Sequence, residues 1–503
     1  MKEIKLFLIV ASAVVSFLCF PPFPFGPLIF LALVPLLLAI EDLPPYRALK
    51  LGFLWGIIFF LGLIYYIAWV TLPGMIAAVL ILSLIPATAC WFFARLLERN
   101  RGAALIFFPS YFIMWNWLFT MSDLNDPWAD FGYALVYYLP FVQAAELGAV
   151  YLISLIILAV NVAIYASVSQ KFNLSQYVRR NLRYGSVFMM VLLYGYGIVR
   201  LNSKDGVASS EKLTVGILQG NMTRGQKWNP KNLQKNFERY FDLSRKAVSE
   251  GAEFLIWPET ATPTYLMQDR RYLGNVQSLV DSLGVPLLTG TPFYEVVGPK
   301  EYVYFNSAVL IEPDNDDYQV YSKIRLVPVS EHIPFSGRFK RLKEIRLGQA
   351  DFSSGEEQTI FDLGGVRFAT AICFESAFPG YCREFAQKGA QFLVVITNDM
   401  WFGRTSLLEQ HAMMSVFRAV ENRIPVVRSA NTGISMAIDK WGKILVKSDI
   451  FVIDHLIARI APEDSKSFYG RIGDIIPMGA SILSVISLAV AFRGRRHYIG
   501  EGK

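Results

Sequence analysis

Long apolar segments fill roughly the first 200 residues of the chain, and one more lies near its end. Several of them reach the roughly 20 residues that a helix needs to cross a bilayer core, whereas the first, second and seventh are shorter. The pattern predicts a multi-span α-helical membrane bundle with about 8 transmembrane helices. The predicted spans are residues 6–20, 27–40, 50–70, 74–96, 103–120, 140–167, 185–200 and 475–492.

Between the last two spans the pattern changes to that of a soluble α/β domain. Apolar runs such as "KLTVGILQGN" (212–221), "AEFLIWPET" (252–260) and "VRFATAICFES" (366–376) are typical of buried strands, and residues 229–251 place apolar side chains at helical spacing. Strands separated by helices predict layered sheets. We therefore divide the chain into a membrane domain, an α/β domain, and a C-terminal transmembrane helix with a basic tail: 1–203, 204–470 and 471–503.

Composition agrees with a chain that is partly membrane-embedded. Hydrophobic residues make up 53% and charged residues 18%, against about 25% charged in soluble domains. The net charge of +7 does not indicate nucleic acid as a partner, because membrane proteins concentrate basic residues in cytoplasmic loops. We expect the lipid bilayer as a partner and no nucleic acid.

The distribution of basic residues predicts the orientation. Loops 21–26, 71–73 and 121–139 contain no Lys or Arg. The alternate loops and both termini carry the basic residues Lys2, Lys5, Arg47, Lys50, Arg95, Arg99, Arg101, Lys171, Arg179, Arg180, Arg183, Arg493, Arg495 and Arg496. By the positive-inside rule both termini are cytoplasmic, so the α/β domain faces the periplasm or its equivalent.

A transporter bundle with a large external loop is the main alternative for a multi-span chain. Ionisable residues inside the spans would favour it, because they mark ion or substrate pathways. Only Glu146 lies near a span, and nothing resembles an ion relay.

The four cysteines suggest neither a metal site nor a disulfide framework. Cys19 and Cys90 fall in predicted spans, and no Cys/His cluster has zinc-site spacing. Cys373 and Cys382 are nine residues apart, and the sequence leaves open whether they pair. We expect no metal and no cofactor.

Three polar residues stand at the ends of predicted strands: Glu259, Lys323 and Cys373. Singly, each has a plain structural explanation, as a helix cap, an edge-strand lysine and a core cysteine. Together they fit acyl transfer through a thioester. The carboxylate would take the thiol proton, and the ammonium would stabilise the oxyanion. No histidine is needed for this chemistry.

The motifs around these residues resemble the nitrilase (carbon–nitrogen hydrolase) superfamily. "WPET" contains Glu259, "YSKIRLVPVSEHIPF" contains Lys323 and "ICFES" contains Cys373, in the order of that superfamily's Glu–Lys–Cys triad. "GNMTRGQKWNP", "TNDMWFG" and "RAVENRIPVVRSANTGIS" further resemble the apolipoprotein N-acyltransferases. The resemblance covers nearly the whole chain and implies an extracytoplasmic nitrilase-like αββα sandwich joined to a bundle of eight spans.

This resemblance also implies the reaction. Cys373 would take a fatty acyl chain from a membrane phospholipid, typically phosphatidylethanolamine, and pass it to the α-amino group of the N-terminal S-diacylglyceryl-cysteine of an apolipoprotein. The family's setting is the bacterial inner membrane. We expect a monomer, although the sequence carries no signal for oligomeric state.

Supporting roles follow from the same resemblance. Glu331 and Glu375 would support the triad. Trp228, which matches a family tryptophan, and Phe374 would contact the substrate, with Phe374 standing where relatives often carry Tyr. Trp401 would line the same cavity and contact the substrate, or it is a plain core aromatic. Arg428 and Asn431 would pack behind the site. Cys382 is expected to be a helix-packing thiol.

Two other functions compete with this one. A membrane-tethered amidase or nitrilase would share the triad but would need no lipid-facing loops. A scaffold without activity is disfavoured because all three triad residues are present.

Overall fold

The apolar segments of the N-terminal part fold into a bundle of helices. The computed structural model describes residues 2–203, 212–299, 301–335, 352–465 and 467–492. The bundle is built from α1 (Lys2–Leu18), α2 (Val34–Ile40), α3 (Pro45–Ile64), α4 (Leu72–Arg99), α5 (Arg101–Phe119), α6 (Leu139–Val142), α7 (Ala145–Val168) and α8 (Gln176–Leu201).

Six helices among the described residues are long and apolar enough to cross a membrane. They comprise residues Pro45–Trp69, Leu72–Arg99, Arg101–Phe119, Ala145–Val168, Gln176–Leu201 and Ile475–Phe492. The multi-span helical bundle is therefore confirmed, whereas the number of eight spans stays a prediction. Arg493, Arg495 and Arg496, which contribute to the predicted orientation, lie outside the described residues.

Two predicted spans differ from the structure. The second, expected as one helix over 27–40, is split into a 3-10 helix at Gly26–Phe30 and the seven-residue α2. Each piece has a proline in its first turn, where a helix needs no N–H donor. The same missing N–H prevents a helix from continuing through the proline from the preceding residues. The seventh span was placed too short, since α8 has 26 residues.

Polar caps and small residues explain how the long helices α3, α4 and α5 pack. The side chains of Thr71 and Asn100 accept backbone N–H groups in the first turns of α4 and α5, at 3.3 and 3.0 Å. A Cβ added at Gly52 of α3 would lie 2.6 Å from the carbonyl oxygen of Pro86 in α4. Glycine therefore lets these two helices approach closely.

The α/β domain consists of two six-stranded sheets with helices outside them. Their strand orders are β12-β1-β2-β3-β4-β5 and β11-β10-β9-β8-β7-β6. The strands are β1 (Leu213–Gln219), β2 (Phe254–Ile256), β3 (Leu287–Gly298), β4 (Glu301–Ile311), β5 (Gln319–Ser322), β6 (Ile360–Leu363), β7 (Val366–Ile372), β8 (Phe392–Thr397), β9 (Val426–Ala430), β10 (Met436–Ile438), β11 (Ile444–Lys447) and β12 (Asp454–Ile460). The helices are α9 (Arg224–Lys227), α10 (Leu233–Ser249), α11 (Arg270–Leu283), α12 (Pro379–Gln387), α13 (Leu407–Asn422) and α14 (Phe468–Ile472), and the chain re-enters the bundle as α15 (Ile475–Phe492).

Parallel pairing at the centre of each sheet aligns the carboxyl ends of the strands. Ile256 of β2 pairs with Ile217 of β1 and with Leu288 of β3, and Ile372 of β7 pairs with Ile396 of β8. Aromatic rings fill the space between the sheets, as in the contact of Phe254 with Phe368 at 5.2 Å. The predicted αββα sandwich is confirmed, and the two rows of strand ends lie beside each other.

The α/β domain is anchored on a break in α7. Gly148 and Ala149 leave the helical conformation, and Ala149 has a φ of 54°. The Glu421 carboxylate of α13 accepts the N–H of Val150 at 3.0 Å and thereby caps the second half of α7. Arg418, one turn earlier in α13, forms an ion pair with Glu421 at 3.0 Å.

The predicted Lys- and Arg-free loops lie against the α/β domain. Contacts involve residues in or next to these loops: Gln410 with Pro21 (3.1 Å), Arg325 with Thr120 (3.4 Å), Phe335 with Asp123 (3.0 Å) and the Phe402 ring with Tyr66 (5.7 Å). The α/β domain therefore occupies the face of the bundle opposite the basic loops.

A buried ion pair across this junction predicts a large effect on stability. Arg423 is 5% exposed and donates to the Glu146 carboxylate at 2.7 Å, and Arg200 pairs with the same group. Glu146→Gln removes the negative charge, so we expect the free energy of unfolding in detergent to fall by about 3 kcal/mol.

Glu409→Gln is the matched control, because the ion pair of Glu409 with Lys447 is partly exposed. The free energy of unfolding of this variant should fall by less than about 1 kcal/mol. Equal losses in the two variants would contradict the importance of the buried junction.

Candidate active site

Three strand ends bring the predicted catalytic residues together. Lys323 immediately follows β5, Cys373 immediately follows β7, and Glu259 comes three residues after β2. Because β2 and β5 belong to one sheet and β7 to the other, the site lies where the strand ends of both sheets meet.

Lys323 lies between two carboxylates in a site with almost no solvent contact. Its Nζ is 2.8 Å from the Glu331 carboxylate and 3.9 Å from Oε1 of Glu259. The Asn306 side-chain amide donates to both acids, at 2.7 Å to Glu259 and 3.3 Å to Glu331. Lys323 is 0% exposed, so a charged ammonium there depends on these acids.

The Cys373 backbone is held in an uncommon conformation. It has a φ of 54° and begins the 3-10 turn Cys373–Ala377. Its carbonyl oxygen accepts hydrogen bonds from the Ser376 hydroxyl at 2.8 Å and from His411 at 3.1 Å. Such strain in a partly exposed residue is typical of a functional position.

The electrostatics of the site keep the thiol protonated at rest and its base close by. Burial, reinforced by the Glu259 charge, raises the pKa of Cys373 above its usual value. Burial, together with Glu331 and against the pull of Lys323, raises the pKa of Glu259 as well. Burial would lower the pKa of Lys323, but Glu331 and Glu259 outweigh it and raise that pKa. The raised pKa of Glu259 and the charged Lys323 beside it are compatible with the predicted role of Glu259 as the proton acceptor for the thiol.

Glu375 is a positioning group. Its carboxylate accepts the N–H groups of Ile324 at 2.8 Å, Arg325 at 3.0 Å and Ile372 at 2.8 Å, and the hydroxyl of Tyr321 at 2.7 Å. These donors flank Lys323 on one side and Cys373 on the other. Glu375 thus holds the two strand ends at a fixed separation.

The three predicted substrate-contacting aromatics have different surroundings. Trp228 is 47% exposed at the end of α9. Phe374 is buried, and its ring stacks on Trp128 of the membrane domain with 5.8 Å between centroids and 12° between planes. Trp401 is partly exposed in the 3-10 turn Asp399–Phe402. Phe374 therefore connects the Cys373 turn to the bundle, and the substrate role of all three stays a prediction.

A buried hydrogen-bond network behind Cys373 was missed by sequence reasoning. Thiol, carboxylate and imidazole ligand atoms of Cys373, Asp399 and His411 lie within 4.8 Å of one another among the described residues. Arg428 donates to Asp399 at 2.8 Å and approaches Nδ1 of His411 at 3.1 Å. A metal ion would face this guanidinium, so we interpret the group as a hydrogen-bond network.

The network holds His411 by both ring nitrogens. Burial and the Arg428 charge lower the pKa of His411, and the Asp399 carboxylate acts against that decrease. Nδ1 lies 3.0 Å from the Asp399 carboxylate and 3.1 Å from the Arg428 guanidinium, and Nε2 lies 3.1 Å from the Cys373 carbonyl oxygen. A single histidine within a helical pattern gave no signal for this role. Asn306, inside a strand pattern, gave none either.

The other cysteines and the expected packing residues agree with their predicted places. All four cysteines are free thiols, so Cys373 and Cys382 are not paired. Cys382 is buried in α12. Asn431 hydrogen-bonds to the Met222 backbone and to Asn398, behind the site.

The shared proton of Glu259 and Cys373 predicts an unusual pH profile for alkylation by iodoacetamide. Once Glu259 is ionised, the thiolate fraction of the wild type stops rising, because each thiolate requires the proton to move to Glu259. In Glu259→Gln the thiolate fraction should keep rising by about tenfold per pH unit. The two profiles, measured by mass spectrometry of the Cys373 peptide, should diverge above the pH at which Glu259 ionises. Parallel profiles would show that Glu259 does not hold the proton.

The hydrogen bonds of Glu375 predict a stability effect. Glu375→Gln places a donor where backbone N–H groups are already donors, leaving at least one of them unsatisfied in a dry site. We expect a loss of about 2 kcal/mol in the free energy of unfolding. Glu384→Gln, at an exposed position of α12, is the control and should change little. A loss as large in the control would refute the positioning role.

Comparison with known proteins identifies the family of both domains. The family model described as "Carbon-nitrogen hydrolase" matches residues 214–469, and that described as "Apolipoprotein N-acyltransferase N-terminal domain" matches residues 12–163. Among solved structures, an amidase of the nitrilase superfamily from Nesterenkonia aligns with a TM-score of 0.39 and 19% identity, covering 53% of this chain and 95% of the amidase.

Curated relatives match over nearly the full length. The apolipoprotein N-acyltransferase of Geobacter metallireducens is 33% identical over 96% of this chain and 94% of its own length. That of Chlorobaculum tepidum is 30% identical over 96% of this chain and 95% of its own length. Both family models match this chain, and the relatives match it over nearly its full length. This protein therefore belongs to the apolipoprotein N-acyltransferase family.

Proposed function

We propose that this protein transfers a fatty acyl chain from a membrane phospholipid to the α-amino group of the N-terminal S-diacylglyceryl-cysteine of apolipoproteins, the final step of bacterial lipoprotein maturation. One observation carries the proposal. The buried cluster of Glu259, Lys323, Glu331 and Cys373 lies in a domain seated on a helical bundle, in a chain of this family.

In the first half-reaction the Cys373 thiol gives its proton to Glu259, and the thiolate attacks the ester carbonyl of the phospholipid. The Lys323 ammonium stabilises the negative oxygen of the tetrahedral intermediate. Collapse of this intermediate breaks the ester C–O bond and leaves the acyl group on Cys373 as a thioester. Glu259 returns the proton to the leaving alkoxide, which departs as a lysophospholipid.

In the second half-reaction the amine of the apolipoprotein attacks the thioester carbonyl. Glu259 accepts a proton from the attacking nitrogen, and Lys323 again faces the oxyanion. The C–S bond then breaks, the amide forms, and Glu259 returns the proton to the Cys373 sulfur. The reaction is ping-pong, because lysophospholipid leaves before the acceptor reacts.

The membrane setting follows from the substrates. Both are lipids, so they reach the site laterally from the bilayer, where the Phe374–Trp128 contact joins the catalytic turn to the bundle. Trp228 and Trp401 line the approach to the site. Phosphatidylethanolamine is the proposed acyl donor, and the protein acts as a monomer.

The proposed orientation places both termini in the cytoplasm of a bacterial inner membrane and the catalytic domain in the periplasm. Its support is the agreement between two independent features. The loops without Lys or Arg contact the catalytic domain, and the positive-inside rule assigns those same loops to the outside.

Amide hydrolysis is the second candidate, favoured by the match of residues 214–469 to the carbon–nitrogen hydrolase model. Water would then replace the amine in the second half-reaction, and the acyl group would come from a soluble amide. The bundle and the contact of Phe374 with Trp128 would have no part in that reaction.

The test is an acyl-transfer assay with phospholipid and a diacylglyceryl-cysteine peptide. Cys373→Ala and Cys373→Ser should lose essentially all transfer, because neither side chain supplies a thiolate. Cys382→Ala, which removes the buried thiol of α12, should keep activity close to that of the wild type. Acyl transfer by Cys373→Ala would contradict the mechanism. Hydrolysis of a soluble amide by the wild type, without acyl transfer, would favour the second candidate function.

A further inference from the structure

A second lysine is buried beside the proposed base. Lys227, the last residue of α9, is 1% exposed. Its Nζ donates to the carbonyl oxygen of Glu259 at 3.2 Å and to the hydroxyl of Thr260 at 2.5 Å. The Lys227 carbonyl in turn accepts from the side chain of Asn236 at 3.3 Å, which ties this residue to α10.

The backbone that Lys227 holds is strained. Thr260, directly after Glu259, has a φ of 47°. A β-branched residue seldom adopts this left-handed conformation, and strain of this kind persists only where the surroundings enforce it. Gly290 permits the close approach, because a Cβ there would lie 2.6 Å from Cα of Glu259. The two hydrogen bonds from Lys227 thus fix the turn that aims the base.

Hydrogen bonds alone do not account for a lysine at this position. A buried ammonium is costly without a counterion, and none of the ion pairs among the described residues includes Lys227. Its acceptors are one carbonyl and one hydroxyl. The negative group acting on it is the Glu259 carboxylate. An uncharged donor would make the same hydrogen bonds at a lower desolvation cost.

We infer that Lys227 is a positioning residue for the base: it holds the strained main chain at Glu259 and Thr260, and its positive charge sets how readily the Glu259 carboxylate binds a proton. The inference rests on the proposed function of Glu259. It adds a second cation beside Glu259, which contacts the main chain and the Thr260 hydroxyl.

The charges around Glu259 show why a second cation matters. Four ionisable groups act on it: Lys323 after β5, Glu331 in the following loop, Lys227 in α9 and the Cys373 thiol after β7. With both lysines protonated, the site is neutral before and after the proton moves from the thiol to Glu259. Without the Lys227 charge the site has a net negative charge both before and after the proton moves. The loss of this neighbouring positive charge disfavours the ionised form of Glu259.

The direction of the pKa values agrees with this geometry. Burial lowers the pKa of Lys227 to about 7, and Glu259 acts against that decrease. Lys227 is therefore charged below about pH 7. Because the positive charge lowers the pKa of Glu259, its removal should raise that pKa further.

The experiment follows alkylation of Cys373 by iodoacetamide as a function of pH in the full-length protein. The pH at which the wild-type rate levels off reports ionisation of Glu259. In Lys227→Met and in Lys227→Gln this pH should move upward by about one unit. Gln keeps hydrogen-bond donors and lacks the charge, so it carries the test if the Met variant does not fold.

One control isolates the charge. Lys231→Met removes an exposed lysine four residues further along. Its alkylation rate should level off at the pH of the wild type. Thermal unfolding confirms that each variant is folded.

The outcomes are distinct. An upward shift in both Lys227 variants supports the inference. No shift in folded Lys227→Gln overturns it, as does an equal shift in Lys231→Met. Alkylation needs neither phospholipid nor acceptor, so the result stands apart from acyl transfer. If the Lys227 variants show the expected shift but the wild-type protein transfers no acyl group, the proposed function is contradicted and the inference about Lys227 stands.

Discussion

The structure depends on keeping the Lys323 ammonium charged in a site that excludes water. The cost of burying that charge is offset by Glu331 at 2.8 Å and by Glu259 at 3.9 Å, with the Asn306 amide fixing the two acids relative to each other. The same arrangement prepares the reaction. Lys323 is in direct contact with Glu331 and lies further from Glu259, so Glu259 can take the thiol proton while Lys323 stays charged.

Such a cluster requires three strand ends to be held within a few ångströms. Glu375 joins the residues after β5 to the end of β7 through four hydrogen bonds. His411 holds the Cys373 carbonyl, and Lys227 holds the turn after Glu259. These three side chains act on the main chain around the reacting groups. The strained residues Thr260 and Cys373 are thereby kept in conformations that they would not adopt alone.

The membrane bundle contributes more than an anchor. Glu421 caps the broken helix α7, Arg423 pairs with Glu146, and Trp128 covers Phe374 next to the nucleophile. Much of the contact between the domains is thus buried and polar. Breaking it would leave unpaired charges, so the catalytic domain is held in one position over the bundle.

The sequence predicts the two domains, the strand ends and the placement of Glu259, Lys323 and Cys373 at those ends. These predictions depend on local signals, namely the spacing of apolar residues and the polar residues that follow predicted strands. The sequence does not predict Lys227, Asn306 or His411. Their positions depend on pairing between distant segments: Lys227 reaches Glu259 across 32 residues, and His411 reaches Cys373 across 38. The second predicted span, 27–40, coincides with the apolar helical segment Gly26–Ile40, which prolines divide into two pieces.

The central claim is that Cys373 carries the acyl group as a thioester. The most direct measurement incubates the purified protein with phospholipid in detergent, without an acceptor, and identifies the acylated peptide by mass spectrometry. The account predicts a fatty acyl group on the Cys373 peptide that neutral hydroxylamine removes, and that disappears from this peptide when the acceptor peptide is added. An unmodified Cys373 peptide beside released lysophospholipid, or an acyl group on another residue, would contradict it.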